Sequence, residues 1–195
     1  MYLIGVTGKS GSGKSEICNK IGQKLNCEVI RIDKIGHFVV EQKAVLTKLI
    51  KHFGKQILDE DGSFSRKKLG ALVFFDENNM KALTDFTLPE MIKTVKRQIA
   101  QCKKDIVILD YILLPILPFW ETCNLKILIN CPQKLRFSRI IKRDNVSLSY
   151  IKKRESASLN YSAFKFDKKY KNIDKTEFNF IVEDICKTIK TKMGS

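Results

Sequence analysis

The residues best suited to chemistry lie together near the start of the chain. Gly8-Lys9-Ser10-Gly11-Ser12-Gly13-Lys14-Ser15 satisfies the spacing G-x-x-x-x-G-K-[ST]. Glycines at these positions let the backbone wrap closely, so that successive N–H groups converge on phosphate oxygens. A helix starting where the loop ends adds the positive end of its dipole, and Lys14 supplies a point charge for the β- and γ-phosphates. Ser15 is then a hydroxyl ligand for Mg²⁺. The stretch from Gly8 to Ser15 therefore predicts a nucleoside triphosphate site.

Two carboxylates and a group of cations are the next candidates. Asp33 falls at the end of a predicted second strand, where open parallel sheets line their ligand crevice. It reads either as a base or orienting group for an acceptor hydroxyl, or as the N-cap of a helix starting at Lys34. Asp110 closes a predicted third strand, where a carboxylate holds Mg²⁺ through water or caps a turn. Arg139, Lys142 and Arg143 fall on a predicted helix, with Arg139 and Arg143 four apart and so on one face. Such cations either clamp a nucleotide, offsetting charge on a transferring phosphoryl group, or form a solvated basic face. His37 and His52 read as helix-surface or packing residues, and Cys18 and Cys131 as small buried hydrophobes.

These side chains need a scaffold. Tyr2 to Thr7 is a continuous apolar run suited to a strand buried on both faces. Ile17, Ile21 and Leu25 recur every four residues, which predicts a helix, and Glu28 to Ile32 reads as a second strand. From Ile35 to about Cys102 the apolar residues keep helical spacing, interrupted by the turn Asp59-Glu60-Asp61-Gly62, and predict a helical lobe. Asp105 to Asp110 and Leu125 to Asn130 read as core strands, with a helix from Gln133 to Lys142. Phe178 to Val182 reads as the last strand and Asp184 to Lys192 as a closing helix. The alternation predicts an α/β, three-layer P-loop NTPase fold with a five-stranded parallel sheet and an inserted helical lobe.

At 195 residues the chain suits one folding unit with an insertion. Its 36 Lys and Arg against 21 Asp and Glu give a net charge of +15, which favours polyanionic partners. Lys134 to Lys175 alone carries 13 Lys and Arg against four acids, either for a phosphorylated ligand or as a solvated basic helix pair. The six cysteines form no C-x-x-C pair and only two histidines are present, which argues against a zinc site or disulfide framework and fits reduced thiols in a cytosol. No secretory signal is visible at the start. The longest apolar run, Ile112 to Trp120, is broken by Pro115 and Pro118 and is too short to cross a bilayer.

Beyond the phosphate loop, Phe53-Gly54, Ile57-Leu58, Asp61-Gly62, Arg66, Leu69 and Val73-Phe74 match the string F-G-x-x-I-L-x-x-D-G-x-x-x-R-x-x-L-x-x-x-V-F. In this the chain resembles the dephospho-coenzyme A kinase family over nearly its whole length. The resemblance implies transfer of the γ-phosphoryl group of ATP, with Mg²⁺, to the ribose 3'-hydroxyl of dephospho-CoA. It implies Asp33 as the base, Lys14 and Arg143 as stabilisers of the transferred group, and Arg139 and Arg143 as arginines where the lid begins. Acceptor contacts are implied for Asp33, His37, Arg66 and Pro89, and Mg²⁺ at Ser15 with Asp33 or Asp110 through water. The corresponding division is a nucleotide-binding core of 1–33, 105–143 and 176–195, an acceptor lobe of 34–104 and a basic lid of 144–175. The chain departs from the family's pattern at several positions. Lys9-Ser10 stand where Gly-Ile is common, Arg31 replaces the first Asp of Asp-x-Asp, and Leu88-Pro89 replace His-Pro. Ile112-Leu113-Leu114 replace Pro-Leu-Leu, Ser147 to Glu177 aligns poorly, and Glu183-Asp184 stand where Glu-Asn or Asp-Asn is usual. Another small-metabolite or nucleoside monophosphate kinase is the related alternative. A basic NTP-dependent nucleic-acid-binding protein is the distant one, although no recognisable nucleic-acid motif accompanies the charge.

Overall fold

Short segments, most of them apolar, build five strands in the computed structural model, which describes residues 1–194 apart from Phe75 and Ala157. These are β1 (Tyr2–Thr7), β2 (Glu28–Arg31), β3 (Ile106–Asp110), β4 (Leu125–Asn130) and β5 (Lys168–Lys171). They pair in parallel throughout, in the order β2-β3-β1-β4-β5. The chain divides into two compact units, one of residues Met1–Arg31 with those from Gln101 onward, the other Ile32–Ala100.

In the first unit the pleat sends alternate residues to opposite faces. Ile4 and Val6 of β1, Ile108 of β3 and Leu125, Ile127 and Ile129 of β4 pack with α1 (Lys14–Leu25) and α8 (Lys175–Gly194). Leu3, Val107 and Leu109 are buried on the other side of the pleat. There Gly5 abuts the segment after β3, with room for no side chain: a Cβ would lie 2.9 Å from Cys123 Sγ and 2.9 Å from the Trp120 ring. α1 stops at Asn26, whose left-handed backbone (φ 50°) lets its N–H close on the Gly22 carbonyl. α6 (Gln133–Asp144) and α7 (Leu148–Ser156) pack through Phe137, Ile140 and Ile151.

The second unit contains α2 (Ile32–Glu41), α3 (Lys43–Phe53), α4 (Arg66–Val73) and α5 (Glu77–Gln101, the last residue lying past the unit's end). Its buried residues Ile35, Val39, Val45, Leu49, Phe53, Leu69, Val73, Met91 and Val95 follow the helical spacing expected for the lobe. Between α3 and α4 the expected turn is closed by an antiparallel bridge of Leu58 with Phe64, and Gly62 takes φ 81°.

Three expectations are corrected. Phe178 to Val182 is not a strand but lies inside α8: the spacing of Ile181, Val182, Ile185, Cys186 and Ile189 outweighs the short alternation Phe178, Phe180, Val182, and Phe180 is left 60% exposed. The fifth strand is Lys168-Lys169-Tyr170-Lys171, within the stretch assigned to the lid. It is a lysine-rich edge with one buried side chain, so hydropathy gives no sign of it. Finally, β2 ends at Arg31, so Asp33 sits in the first turn of α2, neither on the strand nor at the N-cap of a helix from Lys34. Gly5→Val should lower stability by about 2 kcal/mol or more, because the sheet face around it is already full. Urea unfolding at wild-type midpoint would contradict that packing.

Candidate active site

β1 delivers the chain into the loop Gly8–Gly13, and α1 begins at Lys14. The loop turns as tightly as its glycines were expected to allow. Gly13 takes φ 84°, and a Cβ there would lie 2.2 Å from Asn172 Nδ2; at Gly8 it would lie 2.2 Å from the Ile129 carbonyl. The backbone is then held by its carbonyls. Ser10 O accepts from Arg136 Nη1 at 3.1 Å, Gly11 O from Arg139 Nη1 at 3.4 Å and Ser12 O from Asn172 Nδ2 at 2.8 Å. In a trans peptide the following N–H points the opposite way, so these bonds turn the Gly11 and Gly13 N–H groups away from the bracing side chains. Ser12 N–H instead closes the turn on the Lys9 carbonyl at 3.1 Å. Such a concave run of N–H groups at a helix N-terminus is an anion site.

Lys14 is buried in the first turn of α1, with Ser15 half-buried beside it. One turn further on is Cys18. Burial, and then the Asp110 carboxylate, push its thiol well above the ordinary range, opposed by Lys14 and Arg31, so it is an inert packing thiol as expected. Asp110 ends β3 on the α1 side of the sheet. Its Oδ1 is buried without a hydrogen-bond partner among the described residues, and so is Ser12 Oγ. Below the loop, Thr7 Oγ1 and the Tyr161 hydroxyl both donate to the Ile112 carbonyl, at 3.0 and 2.6 Å.

The basic helix divides its cations among different tasks. Arg139 braces the loop, donating also to Ile173 O at 3.0 Å and to Cys131 Sγ at 3.4 Å, so Cys131 is a half-buried acceptor rather than the buried hydrophobe expected. Arg143 is exposed and pairs with Asp144 at 2.6 Å, and Lys142 is exposed. Lys9 Nζ, grouped by sequence with the phosphate ligands, donates to Glu155 Oε1 at 2.8 Å.

The remaining candidates lie in the helical unit. Asp33 and His37 are exposed one turn apart on α2 and so share a face; Arg66 pairs with Glu41 at 2.6 Å; Pro89 is exposed within α5. His52 lies on the surface of α3, edge-on to Phe53 and Phe86.

Sequence reasoning missed Arg136, Asn172 and Glu155. Arg136 stands three residues before Arg139, a spacing that shares a helix face, and it is buried. Asn172 was hidden by the misplaced last strand: with β5 at Lys168–Lys171, the asparagine following the strand is Asn172 rather than a position at Glu183-Asp184, which lies inside α8. Glu155 offered no signal beyond being the sole acid of α7.

Residues 2–166 match the sequence model of the dephospho-CoA kinase family. A dephospho-CoA kinase domain-containing protein of Danio rerio is 32% identical over 166 residues, covering 82% of this chain and 71% of that protein. The dephospho-CoA kinase of Dehalococcoides mccartyi is 31% identical over 150 residues, covering 75% of each. Among solved structures, the dephospho-CoA kinase of Campylobacter jejuni superposes with a TM-score of 0.58 at 26% identity, over 94% of this chain and 96% of that one. The parallel sheet, the flanking helices and this likeness establish the three-layer P-loop kinase fold. With its phosphate loop folded and braced, and with the family's sequence pattern running from residue 2 to residue 166, the chain belongs to the dephospho-CoA kinase family, ATP-dependent phosphotransferases that act on a hydroxyl group.

Proposed function

We propose that the chain performs its family's reaction, the transfer of the γ-phosphoryl group of ATP to the ribose 3'-hydroxyl of dephospho-CoA, with Gly8–Ser15 as the ATP site. The observation that carries this reading is the braced loop: Lys14 is buried at the start of α1 and the Ser10, Gly11 and Ser12 carbonyls are each held by a side chain.

In this reading Asp33 accepts the proton of the 3'-hydroxyl as its oxygen attacks the γ-phosphorus. The bond to the β–γ bridging oxygen breaks and ADP leaves. Phosphoryl transfer asks the protein mainly for position and for charge to match the transferring group. Lys14 supplies that charge from the loop, and Arg143, paired with Asp144 on the last turn of α6, supplies it from the lid side. Arg139 serves the nucleotide through the loop it braces. Ser15, with Asp33 or Asp110 through water, would hold Mg²⁺, which would neutralise negative charge on the phosphates during transfer. The Oδ1 of Asp110, buried without a hydrogen-bond partner among the described residues, fits such a role.

The helical unit Ile32–Ala100 is then the acceptor lobe, with His37, Arg66 and Pro89 among its contacts, and the 144–167 part of the basic segment is the lid. A cytoplasmic setting accords with six free thiols, and no helix among the described residues is long and apolar enough to cross a membrane.

Release of ADP, measured with ATP, Mg²⁺ and a panel of dephospho-CoA, adenosine, AMP, CMP and shikimate, should be confined to dephospho-CoA and yield 3'-phosphorylated product. Turnover with a different member of the panel would overturn the acceptor. Asp33→Asn should leave ATP binding intact and slow turnover roughly a hundredfold or more, as for loss of a positioned base; near-wild-type turnover would remove Asp33 from that role. Lys14→Ala should damage both ATP binding and turnover, and Arg143→Ala mainly kcat. Gly13→Ala, strained at its φ of 84° and crowding Asn172, should abolish ATP binding measured by calorimetry.

A further inference from the structure

Helix α7 reaches the phosphate loop through one carboxylate. Glu155 Oε1 accepts from Lys9 Nζ at 2.8 Å and from Arg136 Nη2 at 2.5 Å, and Oε2 accepts from Arg136 Nη1 at 3.1 Å. The same Arg136 Nη1 donates to the Ser10 carbonyl. Two successive loop residues, one by its side chain and one by its backbone, are thus attached to a single guanidinium–carboxylate pair on α6 and α7.

This is not the arrangement of a solvated face. The Arg136 side chain is 4% exposed and that of Glu155 18%, whereas in the surface pair of Lys81 with Asp85 both partners are more than half exposed. Glu155 has Lys152 and Lys153 as near neighbours on its own helix, yet it bonds Lys9, 146 residues away in sequence. Burial raises the Glu155 carboxyl's pKa, but the hydrogen bonds from Arg136 and Lys9 outweigh it and hold the pKa below the ordinary range, so the pair is ionised near neutrality. A planar fork can serve two carboxylate oxygens and a backbone carbonyl together, which a lysine's point charge cannot do with the same direction.

We infer that Glu155 and Arg136 are positioning residues for ATP: they fix the Lys9–Ser10 segment so that the Gly11 N–H is presented to phosphate, and they make α7 sensitive to occupancy of the loop. The inference rests on the reading of Gly8–Ser15 as the ATP site. Freed of this pair, the loop must be ordered by the nucleotide itself, which lowers affinity without removing any group that touches the reacting atoms. By linkage, ATP in the loop must in turn stabilise α7.

The test is calorimetric titration of a non-hydrolysable ATP analogue into wild type, Glu155→Gln and Arg136→Lys, with steady-state kinetics for both substrates. Each variant should bind about tenfold more weakly at unchanged stoichiometry, a loss of about 1.4 kcal/mol. KM for ATP should rise in step, while KM for dephospho-CoA and kcat change less than about threefold, a split that a purely structural lesion would not produce. Hydrogen exchange across residues 148–156 should slow on adding the analogue to wild type and not to Glu155→Gln. If Glu155→Gln does not fold, Arg136→Lys carries the same comparison, because it keeps the charge and loses only the fork. Wild-type affinity in a folded variant would overturn the inference alone, as would equal rises in both KM values. A wild type that does not bind the analogue would overturn the reading of the loop itself.

Discussion

A phosphate-binding loop has to hold several backbone N–H groups toward one point without the ladder of a helix or sheet to fix them. In this chain that requirement is met from behind, through the carbonyls. Arg136, Arg139 and Asn172 each take one of three successive carbonyl oxygens, and peptide planarity converts that grip into the direction of the N–H groups that follow. The glycines make the path sterically available; the side chains select one conformation from those the glycines allow.

Much of the first unit can be understood as support for those three donors. Arg136 and Arg139 are placed by α6, which follows β4, and Asn172 by the end of β5, the neighbour of β4 in the sheet. β1, which leads into the loop, is paired on both sides, with β3 and β4. α1 is held on the sheet by Ile17, Cys18 and Ile21 against α8, which fixes the helix end where Lys14 is presented. β5 is secured in turn by Tyr170, whose hydroxyl donates to Asp184 of α8 at 2.6 Å. The short lysine-rich strand at the sheet edge therefore matters to the loop more than its composition suggests.

What could be read from the sequence follows from where the physical signal is local. The phosphate loop, α1 and strands β1, β3 and β4 were legible because spacing and continuous apolar runs are properties of neighbouring residues. The helical unit was legible for the same reason, and the string from Phe53 to Phe74 carried the family. β5 was not, because an edge strand of Lys168-Lys169-Tyr170-Lys171 is stabilised by pairing with β4 rather than by its own hydropathy. Missing it turned Phe178 to Val182 into a strand and hid Asn172. Arg136 and Glu155 were out of reach for a different reason: whether a basic helix face is solvated or buried is decided by what folds against it, and Glu155 meets Lys9 across most of the chain. The family resemblance supplied roles for Asp33 and Arg143; geometry supplied Arg136, Glu155 and Asn172.

If the braced carbonyls set the direction of the loop's N–H groups, phosphate is bound by those N–H groups rather than by the surrounding cations. Backbone amide NMR, recorded while a non-hydrolysable ATP analogue is titrated into the ¹⁵N-labelled protein, tests it most directly. The largest changes should fall on the amides of Gly11, Gly13, Lys14 and Ser15, saturating at one nucleotide per chain. Changes spread across the lysines and arginines of residues 134–175, with the loop amides unmoved, would contradict it and leave the basic charge as the binding element.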